Sequence, residues 1–336
     1  MEKSRILALD GARGVAAFCV LLFHVLGSKF IYLSYLYIVV DFFFVLSGFV
    51  LSPAVSRVYN YLEAQKFLIS RFVRIFPMVF AIITFTAAYD LIVIAKHWLF
   101  NEPSSDPIIL NIPTFLFSIL MLQVFYKPAI LVNYPIWSLS AEWLVNIFIA
   151  FCGIFLTRGK YLSLVFGLGL LITSEVIESE LINQIGRAMW GFSIGLVLFE
   201  FRDRLSRFRR STVSIILLIA PIYFSVPVLG NFQAIFSILP FAASILYLSN
   251  SNVPRSASKV YAFMGKYSYG FYLWHFPMLS FTGIALNAFN TNANESYSVA
   301  LQISLCSVLS IFATKVSMII FEDRMRNFWV SRAKLI

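Results

Sequence analysis

The chain has 336 residues, of which 60% are hydrophobic and only 12% charged, with a formal net charge of +10. Soluble domains carry about 25% charged residues, so this composition excludes a soluble enzyme and describes a polytopic membrane protein. The cationic excess does not call for a nucleic-acid partner, because membrane proteins concentrate Lys and Arg in their cytoplasmic loops.

Stretches apolar and long enough to cross a bilayer run over about 9–28, 36–56, 75–96, 136–157, 161–178, 185–201, 212–229, 232–249, 261–284 and 298–321. Asp10, Gly11 and Arg13 interrupt the start of the first stretch, which reads as a retained helix and not as a cleavable signal. The segment 112–126 is apolar but short, and reads as a re-entrant or interfacial helix packed against protein. Charge sets the orientation. With the N-terminus inside, 20 of the 26 Lys and Arg residues fall on the cytoplasmic side. Four fall outside, Arg187 among them, and two lie within spans. Counting 112–126 as a further span would put the basic run 202–210 outside, against the positive-inside rule. The expected fold is therefore an all-α polytopic membrane protein of about ten transmembrane helices plus a short re-entrant or interfacial helix. Both termini are cytoplasmic, and 1–336 forms a single integral-membrane domain.

Within the first span, Arg13 and His24 are eleven residues apart. That is three turns plus about 20°, so both lie on one helix face roughly 16 Å apart along the axis. Ionisable groups are costly in lipid and face a bundle interior or a wet cavity. Asp41 lies near the start of the second span and Glu142 near the start of the span 136–157. Counted from the span ends, His24, Asp41 and Glu142 all sit roughly 8–9 Å below the outer surface. A buried imidazole beside carboxylates suits general base work. A structural polar knot is the other reading.

Further along, Arg71 and Arg74 are i, i+3 and share a face if the stretch is helical. Two guanidiniums together make a phosphate fork, although a juxtamembrane Arg pair also sets topology and binds head groups. Ser47 and Gly48 form a small step in an aromatic helix, suited to close packing. Trp137, Ser138 and Ser140 precede Glu142 and read as a substrate edge or an interface belt. Tyr269, Tyr272, Trp274 and His275 gather amphipathic rings in the run 267–275, where the histidine serves packing or chemistry. Cys19, Cys152 and Cys306 lie in separate apolar runs, and with three isolated histidines they make no metal site.

In family order, Arg13-x10-His24, Asp41-Phe-Phe-Phe-Val-Leu-Ser-Gly-Phe49, Arg71-x-x-Arg74-x-x-Pro77, Trp137-Ser-Leu-Ser-Ala-Glu142 and Tyr267-Ser-Tyr-Gly-Phe-Tyr-Leu-Trp-His275 resemble the blocks of the membrane acyltransferase-3 family. The resemblance covers essentially the whole chain. It implies ten membrane helices and transfer of an acyl group, usually acetyl from acetyl-CoA, to a sugar hydroxyl. His24 would be the essential histidine, and Arg13, Arg71 and Arg74 would belong to the acyl-CoA side. The absence of the SGNH domain that many members carry favours delivery within the membrane domain. This short form is similar to bacterial inner-membrane enzymes that O-acetylate lipopolysaccharide O-antigen or exopolysaccharide. The expected site therefore comprises His24, Asp41 and Glu142 for catalysis, Arg13, Arg71 and Arg74 for acetyl-CoA, and Trp137, Ser140, Tyr272 and His275 for the acceptor, without metal. The expected partners are acetyl-CoA, a lipid-linked or surface polysaccharide and membrane lipids, with no nucleic acid. A transporter or flippase for a lipid-linked sugar or an anion is the alternative, since it too explains a polar stripe.

Overall fold

Apolar segments in a bilayer must satisfy their own backbone groups, which leaves helices as the local solution here. The computed structural model describes residues 6–100, 111–126, 133–155, 159–205, 233–289, 295–325 and 327–328, and among these there are helices and no strands. In chain order the helices are α1 (Leu7–Leu26), α2 (Ile31–Ser34), α3 (Val39–Val55), α4 (Tyr61–Phe100), α5 (Ile112–Ile119), α6 (Ile136–Phe155), α7 (Gly159–Val176), α8 (Glu180–Leu205), α9 (Gln233–Ser249), α10 (Arg255–Phe289) and α11 (Glu295–Ser317). Six segments are long and apolar enough to cross a membrane by length and composition: Leu7–Leu26, Ile31–Val55, Tyr61–Lys96, Ile136–Ile154, Gly159–Val176 and Ser298–Met325. The expected spans 185–201 and 261–284 lie inside the longer α8 and α10, and 232–249 coincides with α9. The expected span 212–229 lies outside the described residues. Phe151, Val165, Phe312 and Ile319 point outward and exposed, as hydrocarbon-facing side chains do. The protein is an all-α polytopic membrane protein.

Several helix ends explain where the functional side chains fall. α4 begins well before the expected residue 75, because Asn60 Oδ1 accepts the Glu63 N–H at 2.9 Å and caps it. α5 is capped by Asn111, whose Oδ1 accepts from the Thr114 N–H and hydroxyl at 2.9 and 2.8 Å. With 8 residues it is about 12 Å long, far short of a bilayer core of ~30 Å. It ends on Met121 at φ 54°. The Leu122 N–H then returns to Phe117 O at 2.8 Å and the Met121 N–H to Ser118 O at 3.1 Å, which closes the helix end in a Schellman turn. A methionine there is strained. Ser140 on α6 holds it by donating to Met121 O at 2.8 Å and accepting from Val124 N–H at 3.2 Å. The segment 112–125 is thus bound to the upper end of α6, as expected of a helix packed on protein. α7 ends in the same kind of turn, with Glu178 at φ 50°. Ser179 then caps α8, its Oγ accepting the Ile182 N–H at 3.4 Å.

The tightest crossing joins α3 to α8. A Cβ on Gly48 would lie 2.8 Å from Phe192 C, and one on Gly195 would lie 2.6 Å from Phe49 N. Each glycine therefore lets the other helix's backbone approach. The close packing read into the Ser47-Gly48 step is present, and it is reciprocal. Arg187, Gly191 and Gly195 recur every fourth residue on α8, so the stripe that carries the crossing also carries Arg187 toward α3.

α10 contains Pro277. A proline has no N–H, so the carbonyl four residues earlier, that of Leu273, loses its helical partner. The Asn133 side-chain amide supplies the missing donor at 2.6 Å.

Candidate active site

Among the described residues, two cavities flank Tyr272 and a third lies beside one of them. The inner one, of about 260 Å³, is lined by Arg13, Ser47, Arg71, Arg74, Glu142 and Tyr272, among others. All five sequence blocks meet there. Arg71 Nη2 donates to Glu142 Oε1 at 3.0 Å, and both side chains are largely buried. Arg71 Nε is buried without a hydrogen-bond partner. Arg74 sits nearer the mouth with its side chain 46% exposed. It pairs with Glu322, which a π-helical turn over Met318–Glu322 presents, and lies 5.3 Å over the Tyr269 ring. Arg13 lies 3.4 Å from Asp10. The i, i+3 pairing of Arg71 and Arg74 on one face is realised.

The outer cavity, of about 290 Å³, is lined by His24, Tyr37, Tyr134, Trp137, Gln184 and Arg187, with Phe23, Asn183, Glu180 and Tyr272. Tyr272 is the one residue common to the inner and outer linings. Its hydroxyl lies 2.7 Å from Ser138 Oγ, so a hydrogen-bonded pair from α10 and α6 stands between the two spaces. The His24 and His275 rings are 5.3 Å apart. His275 is fully buried, and neither of its ring nitrogens has a hydrogen-bond partner among the described residues. Cys306 donates to the His275 carbonyl at 3.3 Å and fixes that turn of α10. The expectation that α1 carries Arg13 and His24 along one internal stripe holds, since each lines a cavity at its own end.

Beside the outer cavity lies a third, of about 180 Å³, which shares Tyr37, Asn183 and Arg187 with it and adds Asp41, Glu175 and Gln233. Asp41 is fully buried. It accepts from Arg187 Nε at 2.9 Å and from Ser237 Oγ at 3.3 Å. The Arg187 guanidinium lies 5.3 Å from the Tyr37 ring and 5.6 Å from the Trp137 ring. It is desolvated but compensated by a carboxylate and two aromatic faces.

This geometry corrects three expectations. His24, Asp41 and Glu142 do not meet: Asp41 is bound to Arg187, and Glu142 to Arg71 in the inner cavity. Glu142 lines the inner cavity with Arg71, whereas His24 lines the outer one. Ser140 faces Met121 and Val124, not a cavity, so it holds the short helix and does not edge the acceptor space. Arg187, counted as an outer loop charge, is a buried member of the site. The sequence did hold a signal for it, as one of few cations on the cation-poor side.

A guanidinium-lined cavity thus lies on one side of Tyr272 and an imidazole-lined one on the other. The chain belongs to the acyltransferase-3 family, whose model, described as an acyltransferase domain, matches residues 6–320. It is a membrane acyltransferase, as the five sequence blocks implied. No curated protein and no solved structure matches the chain significantly.

Proposed function

We propose that the protein moves an acetyl group from cytoplasmic acetyl-CoA to a sugar hydroxyl of a bacterial surface polysaccharide, with lipopolysaccharide O-antigen the acceptor to test first. The proposal includes an inner-membrane location, ten spans and cytoplasmic termini. The observation that carries it is the pair of cavities that meet at Tyr272, with Arg13, Arg71 and Arg74 on one side and His24 on the other, its ring 5.3 Å from that of the buried His275. A transporter or flippase is disfavoured by membership of an acyltransferase family.

The inner residues fit a coenzyme A thioester. Arg74 at the mouth and Arg71, with its unpartnered Nε, would hold phosphates, and Arg13 would line the path of the pantetheine arm. The acetyl group arrives activated as a thioester. The His24 imidazole takes the proton of the acceptor hydroxyl and returns it to the departing thiol. Alternatively the same ring carries the acetyl group itself. Trp137 and Tyr272 border the acceptor, and His275, which lines neither cavity, packs against His24. Glu142 positions Arg71, and Asp41 positions Arg187, in place of the role of tuning His24.

The deciding measurement is the O-acetyl content of polysaccharide from cells carrying His24→Ala or His24→Gln at matched membrane levels. Both should abolish acetylation, and normal acetylation would leave His24 a packing residue. Radiolabelled acetyl retained on the wild-type protein without acceptor, but absent from His24→Ala, would select the relay; no label would select the general base.

A further inference from the structure

Two buried polar atoms on residues that line the outer cavity have no hydrogen-bond partner among the described residues: Arg187 Nη2, a donor, and Gln184 Oε1, an acceptor. Their side chains are more than nine-tenths buried, Arg187 at 7% exposure and Gln184 at 4%. Both are held from behind. Asp41 binds Arg187 Nε at 2.9 Å, and the Gln184 amide donates to Glu180 Oε1 at 2.8 Å, which leaves its Oε1 turned the other way. They stand one turn apart on α8. Leaving such groups unpaired is costly. A fixed donor beside a fixed acceptor is the complement of neighbouring hydroxyls, each of which both donates and accepts.

Charge narrows the ligand further. Among the described residues lining the two outer cavities, Asp41, Glu175 and Glu180 stand against Arg187, whereas the inner cavity sets Arg13, Arg71 and Arg74 against Glu142. The Arg187 cation is already neutralised by a carboxylate. It offers a hydrogen bond but no net attraction for an anion, and an ammonium group cannot accept from it. Tyr37, Tyr134 and Trp137 supply ring faces for the C–H side of a pyranose.

We propose that Arg187, Gln184 and Asn183 form the acceptor subsite, and that it selects an uncharged hexosyl unit presenting adjacent hydroxyls over a uronic or phosphorylated sugar. This rests on the acyltransfer reading for its role but not for its test. The subsite lies on the far side of Tyr272 from the guanidinium-lined cavity, so each half of the molecule admits one charge class. The anionic donor is confined to the inner half because the outer carboxylates oppose it.

The test uses purified full-length protein in nanodiscs and a panel of methyl glycosides. Neutral gluco, galacto, manno and 6-deoxy pyranosides are compared with their uronates and 2-amino analogues, with binding read as a thermal shift. Separate acetyl-CoA titrations accompany each variant. At least one neutral glycoside should bind about tenfold more tightly than its uronate, and Gln184→Leu should weaken it about tenfold while acetyl-CoA binding is unchanged. Asp41→Asn, which strips the compensating charge from Arg187, should shift preference toward the uronate. A uronate that binds the wild type as well as its neutral counterpart overturns the proposal. So does a panel in which no neutral glycoside binds, or a Gln184→Leu protein with wild-type affinity. If Asp41→Asn does not fold, Gln184→Leu and the panel decide alone. Loss of acetyl-CoA binding by the wild type would instead sink the reading of the donor, leaving the sugar result to stand.

Discussion

Removing one member of the Asp41–Arg187 pair should be far more damaging than removing both. Asp41→Asn keeps the shape of the side chain and one oxygen for the Arg187 Nε–H, while its NH2 replaces the oxygen that accepts from Ser237, whose hydroxyl can turn to accept instead, so its cost is chiefly electrostatic. At an effective dielectric of about 20, unit charges 4 Å apart attract by about 4 kcal/mol. Breaking a buried pair typically costs about 3–5 kcal/mol because a charge is left uncompensated. The 0% exposure of Asp41 and 8% of the Arg187 side chain place this pair at the buried end of that range. The Tyr37 and Trp137 rings still face the guanidinium and return about 1–2 kcal/mol, so a net loss of about 3 kcal/mol is expected. Arg187→Met, which strands the carboxylate, should cost at least as much. The double variant Asp41→Asn/Arg187→Met should recover most of the loss, to a cost of about 1 kcal/mol, which against two singles of about 3 kcal/mol makes the coupling about 5 kcal/mol. Equilibrium unfolding of the four purified proteins in mixed micelles measures the cycle. Singles costing less than about 1 kcal/mol and adding in the double would show that the pair contributes nothing to the stability of the α3–α8 contact.

In the inner cavity, Arg71→Ala should weaken acetyl-CoA binding by about 1.5–3 kcal/mol and also destabilise the fold by stranding Glu142. Arg74→Ala, half exposed, should weaken binding with little effect on stability; isothermal titration beside the unfolding assay separates the two, and wild-type affinity in both variants would reduce the pair to a topology signal. Gly195→Ala should lower stability by about 1–3 kcal/mol through overpacking against α3, read by the same unfolding assay. Cysteine labelling within 202–210 and after Ile336 should be blind to impermeant reagents from outside. Labelling at either place would overturn the ten-span topology.

What could be read in the sequence was whatever depends on helical period alone. Arg13 and His24 share a stripe on α1, and Arg71 and Arg74 a face on α4, because 3.6 residues per turn holds regardless of partners. Depth was less legible, since it depends on where a helix begins relative to the bilayer. Glu142 was grouped with His24 because nothing in 136–142 reveals that its carboxylate pairs with Arg71 on α4. Ser140 was misread for the same reason, its hydroxyl being taken up by Met121 and Val124. Arg187 was missed because the charge rule sorts cations into loops and has no place for one whose counterion, Asp41, lies 146 residues away.

The bond from Asn133 to the Leu273 carbonyl has a consequence for the order in which the molecule is made. Membrane helices first insert and then associate. In the ten-span topology proposed above, α10 enters the bilayer with that carbonyl left bare in hydrocarbon by Pro277, at a cost of several kcal/mol. Asn133 lies 140 residues away in sequence and reaches it only after α6 and α10 have docked. The helix that carries His275 is therefore incomplete as an isolated span. Its last backbone bond forms between helices, and so rewards assembly rather than insertion. Chains in which the two cavities have not closed around Tyr272 retain an exposed polar defect next to the histidine, which marks them as unfinished.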